Sequence, residues 1–218
     1  MQPKLVIFDL DGTLVNTAED VTACFNAALT NMGFPGCTLE QVCALLGKPL
    51  EAIVQGLLPQ DAPEHAVADV SAEYRRVYKT ADKPNTRPYP GVVACLEALA
   101  AQGIKLAVNS NKPHPAACDA VAQLFPTVDM AVAGYGKVDT TKPDPAGALL
   151  LMQEAGATSQ ETVYVGDTIV DVETAANAGC PCVIVTWGQG TPDLYHDARI
   201  AHVVDDAASL AAALGVRQ

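Results

Sequence analysis

The stretch Leu5-Val6-Ile7-Phe8-Asp9-Leu10-Asp11-Gly12-Thr13-Leu14 decides how the rest of the chain is read. Four consecutive apolar residues, without polar alternation, mark a strand covered on both faces. Two carboxylates, Asp9 and Asp11, follow at once, and at that spacing in an extended chain they point the same way. Gly12 then lets the backbone turn sharply, and Thr13 offers a hydroxyl inside the turn. Asp-Gly also marks ordinary β-turns, so the pair alone says little. Its place at the carboxyl end of a buried strand favours function.

Working outward, unalternating apolar runs recur at 105–109, 130–133, 162–165 and 182–185. Helix-like stretches at 92–102, 115–124, 145–155 and 170–178 separate most of them. Such alternation predicts a parallel α/β sheet with helices on both faces. Ligands in these sheets sit beyond the carboxyl ends of the strands. Residues 17–82 break the pattern. Val21, Phe25, Ala28 and Met32 stripe one helix, Thr38-Leu-Glu-Gln41 reads as a capping box opening a second, and Val67, Val70, Tyr74 and Val77 stripe a third. Gly33, Pro35, Gly36, Pro49, Pro59 and Pro63 punctuate them. The expectation is an all-helical insert at 17–82, within a core made of 1–16 and 83–218.

The 218 residues, half of them apolar and 17% charged, suit such a core plus a smaller insert. A net charge of −12 excludes nucleic acid as a partner, because its phosphates demand clustered Lys and Arg. The same charge repels anionic ligands at long range, so a phosphate would need positive charge concentrated locally. Seven scattered cysteines, without a C-x-x-C pair, read as free thiols used as small hydrophobes. The N-terminus runs straight into a strand without a signal-peptide apolar region, and no run reaches membrane-spanning length. A reducing cytoplasm is the expected compartment. No feature sets an oligomeric state.

Three more polar clusters end predicted strands. Val108-Asn109-Ser110-Asn111-Lys112 supplies a hydroxyl and amides that would face an anion at a helix start, or simply an N-cap before Pro113 and Pro115. Thr141-Lys142-Pro143-Asp144-Pro145 holds a lysine beside a backbone fixed by proline; a solvated lysine is the plain alternative. Val165-Gly166-Asp167-Thr168, followed by Asp171, offers an acidic pair suited to a hard cation, or helix N-terminal charge complementing the dipole. Four such clusters, in order and each after a strand, fit one phosphoryl-transfer site.

These motifs resemble the haloacid dehalogenase-like hydrolases, in particular their phosphoglycolate phosphatase-like branch: Asp9-Leu-Asp11-Gly-Thr, Ser110 with Asn111-Lys112, Lys142-Pro143, and Gly166-Asp167-Thr168 with Asp171. Tyr89-Pro90-Gly91 and Ala175-Ala176-Asn177-Ala178-Gly179 extend the likeness over almost the whole chain. The resemblance implies a Rossmann-like core with a helical cap and a phosphatase acting on a small phosphorylated acid such as 2-phosphoglycolate. By that pattern Asp9 is the nucleophile that becomes an aspartyl phosphate. Asp11 protonates the leaving oxygen and then activates water, with a second carboxylate nearby expected to keep a proton on it. Ser110, Asn111, Gly12, Thr13 and Lys142 serve the phosphoryl group. Asp9, Asp167 and the backbone carbonyl of Asp11 hold Mg2+, with Asp171 steadying the metal loop or Lys142.

Electrostatics asks for the same parts. A carboxylate approaching a phosphate dianion at about 4 Å meets roughly 8 kcal/mol of repulsion at an effective dielectric near 20. Magnesium and Lys142 bring the opposing charge. Asn16 stands where relatives often carry Asp, near the predicted hinge, which bears on cap closure. Lys48, in Gly47-Lys48-Pro49 between predicted cap helices, is a candidate for a second anionic group on the substrate, or an ordinary surface lysine. Arg75 and Arg76 are weaker, solvent-facing candidates. The rival readings are a sugar-phosphate mutase of the β-phosphoglucomutase kind, which would shield its phosphoenzyme from water, and a non-catalytic binding protein on the same fold.

Overall fold

The computed structural model describes residues 2–216. In chain order the elements are β1 (Leu5–Phe8), β2 (Val15–Asn16), helices α1 (Ala18–Asn31), α2 (Leu39–Cys43), α3 (Leu50–Leu57) and α4 (Ala66–Thr80), and β3 (Arg87–Pro88). There follow α5 (Val92–Ala101), β4 (Lys105–Pro113), α6 (His114–Leu124), β5 (Met130–Tyr135), α7 (Ala146–Ala155), β6 (Thr162–Gly166), α8 (Ile169–Ala178), β7 (Cys182–Val185), β8 (Ile200–Val204) and α9 (Ala207–Ala213).

Six strands form one parallel sheet in the order β5-β4-β1-β6-β7-β8, an α/β, Rossmann-like arrangement. β1 is central because all four of its side chains are buried. Val6 and Phe8 pack with Leu96, Leu99, Val121 and Leu210 on one face. Leu5 and Ile7 pack with Leu151, Val172, Ala175 and Tyr164 on the other. Each fully buried Leu, Ile or Phe contributes about 1.5–3 kcal/mol by leaving water. The chain order reverses at β1, which lies between β4 and β6. A crevice therefore opens at the carboxyl ends of those three strands.

Helices α1 to α4 pack around a separate apolar cluster that includes Val21, Phe25, Val42, Val54 and Val70. Phe25 stacks on Tyr74 at 4.1 Å between ring centroids. The Thr38 capping box forms, with Thr38 Oγ1 accepting from Gln41 N and Gln41 Oε1 accepting from Thr38 N. Met32 departs from the expected stripe. α1 stops at Asn31, Gly33 turns at φ +80°, and Met32 is left 39% exposed. The helix α3 matches neither expected stripe and lies beyond the capping box expected to open the second helix. Arg75 pairs with Glu51, tying α4 to α3 at the surface, and Arg76 pairs with Glu73 within α4 at 2.6 Å.

Two short strands make the passage between sheet and helices. β2 pairs antiparallel with β3, Val15 opposite Pro88 and Asn16 opposite Arg87. Asn16 Oδ1 accepts from the amide of Ala18 at the start of α1. Asp20, buried at 4% exposure, accepts from Asn85 N at 3.0 Å, Asn85 Nδ2 at 3.1 Å and Thr86 Oγ1 at 2.7 Å. One carboxylate thus fastens the outgoing segment to the returning one. All seven cysteines are free, four of them buried. Among the described residues no helix is long and apolar enough to cross a membrane. Asp20→Ala is expected to cost about 1–3 kcal/mol, because it strands donors that face a charged acceptor. Urea unfolding would read this as a lowered midpoint, and an unchanged midpoint would deny the fastening role.

Candidate active site

Asp9 leaves β1 at the crevice, 2% exposed. Its amide donates to Val165 O at 2.8 Å, carrying the β1–β6 pairing one residue further. The carboxylate accepts from Leu10 N at 2.7 Å and from Lys142 Nζ at 2.8 Å, both on Oδ1. Among the described residues no hydrogen bond reaches Oδ2. Lys142 is 3% exposed and its ammonium also meets Asp171 Oδ1 at 2.8 Å. Asp171 Oδ2 accepts from the amides of Asp167 and Thr168 at 3.1 and 3.0 Å. Asp171 therefore both holds the lysine and shapes the start of α8.

Asp167 follows β6 and is fully buried. Thr13 Oγ1 donates to its Oδ1 at 2.8 Å, and Gln189 N to its Oδ2 at 2.7 Å. Gly12 has φ +95°, and a Cβ there would lie 2.3 Å from Asp167 Oδ2. Glycine is required on both counts. Gly188 is under the same pressure, its notional Cβ falling 2.3 Å from that oxygen. Gly12 and Thr13, expected around a phosphoryl group, are thus engaged in seating Asp167.

Asp9, Asp167 and Asp171 each place a carboxylate oxygen within 4.8 Å of the others, all buried. One ammonium, that of Lys142, faces these three acids. Burial pushes the Asp9 carboxyl well above its ordinary range; Asp171 and Asp167 push the same way, and Lys142 opposes them. Burial and Asp171 raise Asp167 to about 7, against the Gln189 amide, the Thr13 hydroxyl and Lys142. Burial alone would lower Lys142, but Asp171 and Asp9 outweigh it and hold it charged. A buried acidic cluster with too little positive charge has the all-oxygen chemistry that a hard divalent cation takes.

Asp11 is placed differently. Lys112 Nζ donates to both of its oxygens at 2.9 Å, and Thr17 Oγ1 donates to Oδ1 at 2.8 Å. Ser110 is buried in β4, and its Oγ accepts from Lys112 N at 3.1 Å. β4 continues to Pro113, so α6 starts beyond the amides expected to face an anion. Asn111 accepts from Lys142 N at 2.8 Å and donates to Gly47 O at 2.9 Å. It joins the lysine segment to the turn before α3. Lys48 is exposed.

Asp9, Asp11, Ser110, Asn111, Lys142, Lys112 and Lys48 all line one cavity of about 70 Å³. Its other wall is apolar, built by Val21, Phe25, Leu46, Leu50, Ile53 and Tyr74 from the helical unit. Sequence reading passed over Lys112 except as part of a motif, and missed the Gln189 amide. Its signal was available: Thr186-Trp-Gly-Gln-Gly190 is another polar, glycine-rich run past a buried strand.

A model of the haloacid dehalogenase-like hydrolase family matches residues 6–185. The chain belongs to the haloacid dehalogenase-like hydrolases. It is therefore a hydrolase. A phosphoglycolate phosphatase of Agrobacterium fabrum is 33% identical, over 96% of this chain and 91% of its own. One from Pseudomonas syringae pv. syringae is 32% identical, over 95% of this chain and 78% of its own. A solved structure from Lactobacillus delbrueckii subsp. bulgaricus superposes with a TM-score of 0.90 at 26% identity, covering 98% of this chain and 99% of that one.

The titration of Asp167 has a definite sign. Its folded value, about 7, lies above the unfolded value near 4, so the folded state binds the extra proton. Its contribution to stability is present below about pH 4 and is lost as pH rises toward 7. In chelator-treated protein, Asp167→Asn should therefore gain melting temperature relative to the parent as pH rises from 5 to 8. A constant difference across that range would contradict the burial argument.

Proposed function

We propose that this hydrolase is a magnesium-dependent phosphatase that cleaves a small phosphate monoester through a phosphorylated Asp9. The proposed substrate is 2-phosphoglycolate or a similar small phosphorylated acid. The observation that carries the reading is Asp9 itself: a buried carboxylate at a strand end, bonded through one oxygen to Lys142, beside two further buried acids. The phosphoglycolate phosphatase names of relatives matched over nearly the full chain support the substrate class. The cavity, at about 70 Å³, supports smallness.

In this reading Asp9 attacks phosphorus with the oxygen that Lys142 does not hold. Ser110 and Lys142 bind the transferring phosphoryl oxygens, and Asn111 fixes the backbone of Lys142. Asp11 gives a proton to the leaving oxygen and afterwards takes one from the water that cleaves the acyl phosphate. Asp9, Asp167 and the backbone carbonyl of Asp11 are the proposed Mg2+ ligands, Asp171 supporting them. Bound magnesium supplies the positive charge that lets a carboxylate approach a phosphate dianion. Residues 17–82 act as a cap over a core of 1–16 and 83–218 and close over the bound ester. Lys48, exposed yet lining the cavity, meets the substrate at the mouth. Seven unpaired thiols suit a cytoplasmic location.

The test is phosphate release from 2-phosphoglycolate and from an aryl phosphate, with Mg2+ and then with excess chelator. Release should require the metal. Asp9→Asn should lower kcat by at least about 1,000-fold, as loss of a covalent nucleophile does, while the melting temperature stays within a few degrees. Turnover within tenfold of the parent would remove Asp9 from the chemistry.

A further inference from the structure

Three lysines line the cavity. Lys142 belongs to the nucleophile and Lys48 is exposed. Lys112 is left, with its side chain 7% exposed and no part yet in the reaction. Its ammonium touches both oxygens of Asp11 and lies 4.9 Å from the Tyr78 ring of α4. Burial works against its charge, yet Asp11 and Tyr78 together hold it protonated.

We infer that Lys112 is the specificity-determining cation of this site, selecting phosphate esters whose leaving group carries a carboxylate. The inference rests on the phosphatase reading and deepens it. Asp11 serves the leaving oxygen, so a cation bonded to both Asp11 oxygens stands beside whatever that oxygen is attached to. A substrate carboxylate arriving there exchanges places with Asp11 on Lys112. An ammonium has three protons, so Lys112 can bond the arriving carboxylate before it lets Asp11 go.

The surroundings make this exchange selective. The cavity is also lined by Val21, Phe25, Leu50 and Ile53, which offer a carboxylate nothing. A negative charge buried against that wall without a cation is strongly disfavoured. Lys48, facing water, is hydrated and screened, so it attracts anions without discriminating among them. An ester of the same size that ends in a methyl group would leave Lys112 on Asp11 and gain nothing from it.

The test uses the Mg2+-loaded Asp9→Asn protein, which binds esters without consuming them, and titrates 2-phosphoglycolate against ethyl phosphate by calorimetry. The carboxylate ester is expected to bind at least about tenfold tighter, and Lys112→Met should shrink that ratio to within about threefold, as expected for one buried charge pair. Lys112→Arg should restore part of it, and Lys112→Gln replaces Lys112→Met if the latter fails to fold. Three outcomes would overturn the inference: equal binding of both esters by the parent, a ratio indifferent to Lys112, or a ratio that collapses in Lys48→Gln instead. A wild-type protein that hydrolyses neither ester overturns the phosphatase reading as well. Hydrolysis of both esters with a Lys112-independent ratio overturns this inference alone.

Discussion

One ammonium against three buried carboxylates is the constraint from which the rest of the structure follows. Lys142 bonds Asp9 and Asp171 at once, and Asp167 shares the same dry space. No arrangement of three ionised acids around one lysine is neutral, and burial makes the deficit expensive. The cluster is tolerable because it is held by fixed donors: the amides of Asp167, Thr168 and Gln189, and the Thr13 hydroxyl. What it lacks is positive charge, and that lack is its chemical capability. A site already neutral would have no reason to take up a cation or to draw a phosphate toward one.

The sheet order brings these groups together. β1, β4 and β6 are neighbours although far apart in sequence; Asp9 and Asp167 follow β1 and β6, and Ser110 lies within β4. The apolar faces of β1 set this arrangement, with alternate side chains committed to opposite helical layers. A one-residue slip would exchange those layers. The crevice is thus as rigid as the core, whereas the apolar half of the cavity comes from helices with a core of their own. The helical unit supplies the apolar wall, and the sheet supplies the charged groups, Lys112 among them.

Much of this was readable in advance, for a physical reason. Buried parallel strands leave unbroken apolar runs, so β1 and β7 have the limits read from sequence. Polar residues just past such runs stand out because nothing in the core needs them. β8 left no such trace: it is an edge strand in which only Val204 is buried. β2 and β3 are too short to show a pattern, and α3 begins after Pro49 without a side-chain cap. Lys112 was visible as a letter and not as a partner, because Asp11 lies 101 positions away. Gly12 and Thr13 were read as ligand contacts, and their contacts with Asp167 were not legible because they come from the end of the neighbouring strand β6. Local chemistry can be read from residue types; the division of labour among them depends on long-range contacts.

The pairing of β2 with β3 has a consequence for how such a molecule diversifies. Val15 faces Pro88 and Asn16 faces Arg87, so the chain departs and returns at neighbouring strands, about 5 Å apart. Whatever lies between those two points can be lengthened, shortened or replaced without asking any strand of the main sheet to move. Descent can therefore try new lids over an unchanged furnace, and a lineage acquires new diets through a single doorway.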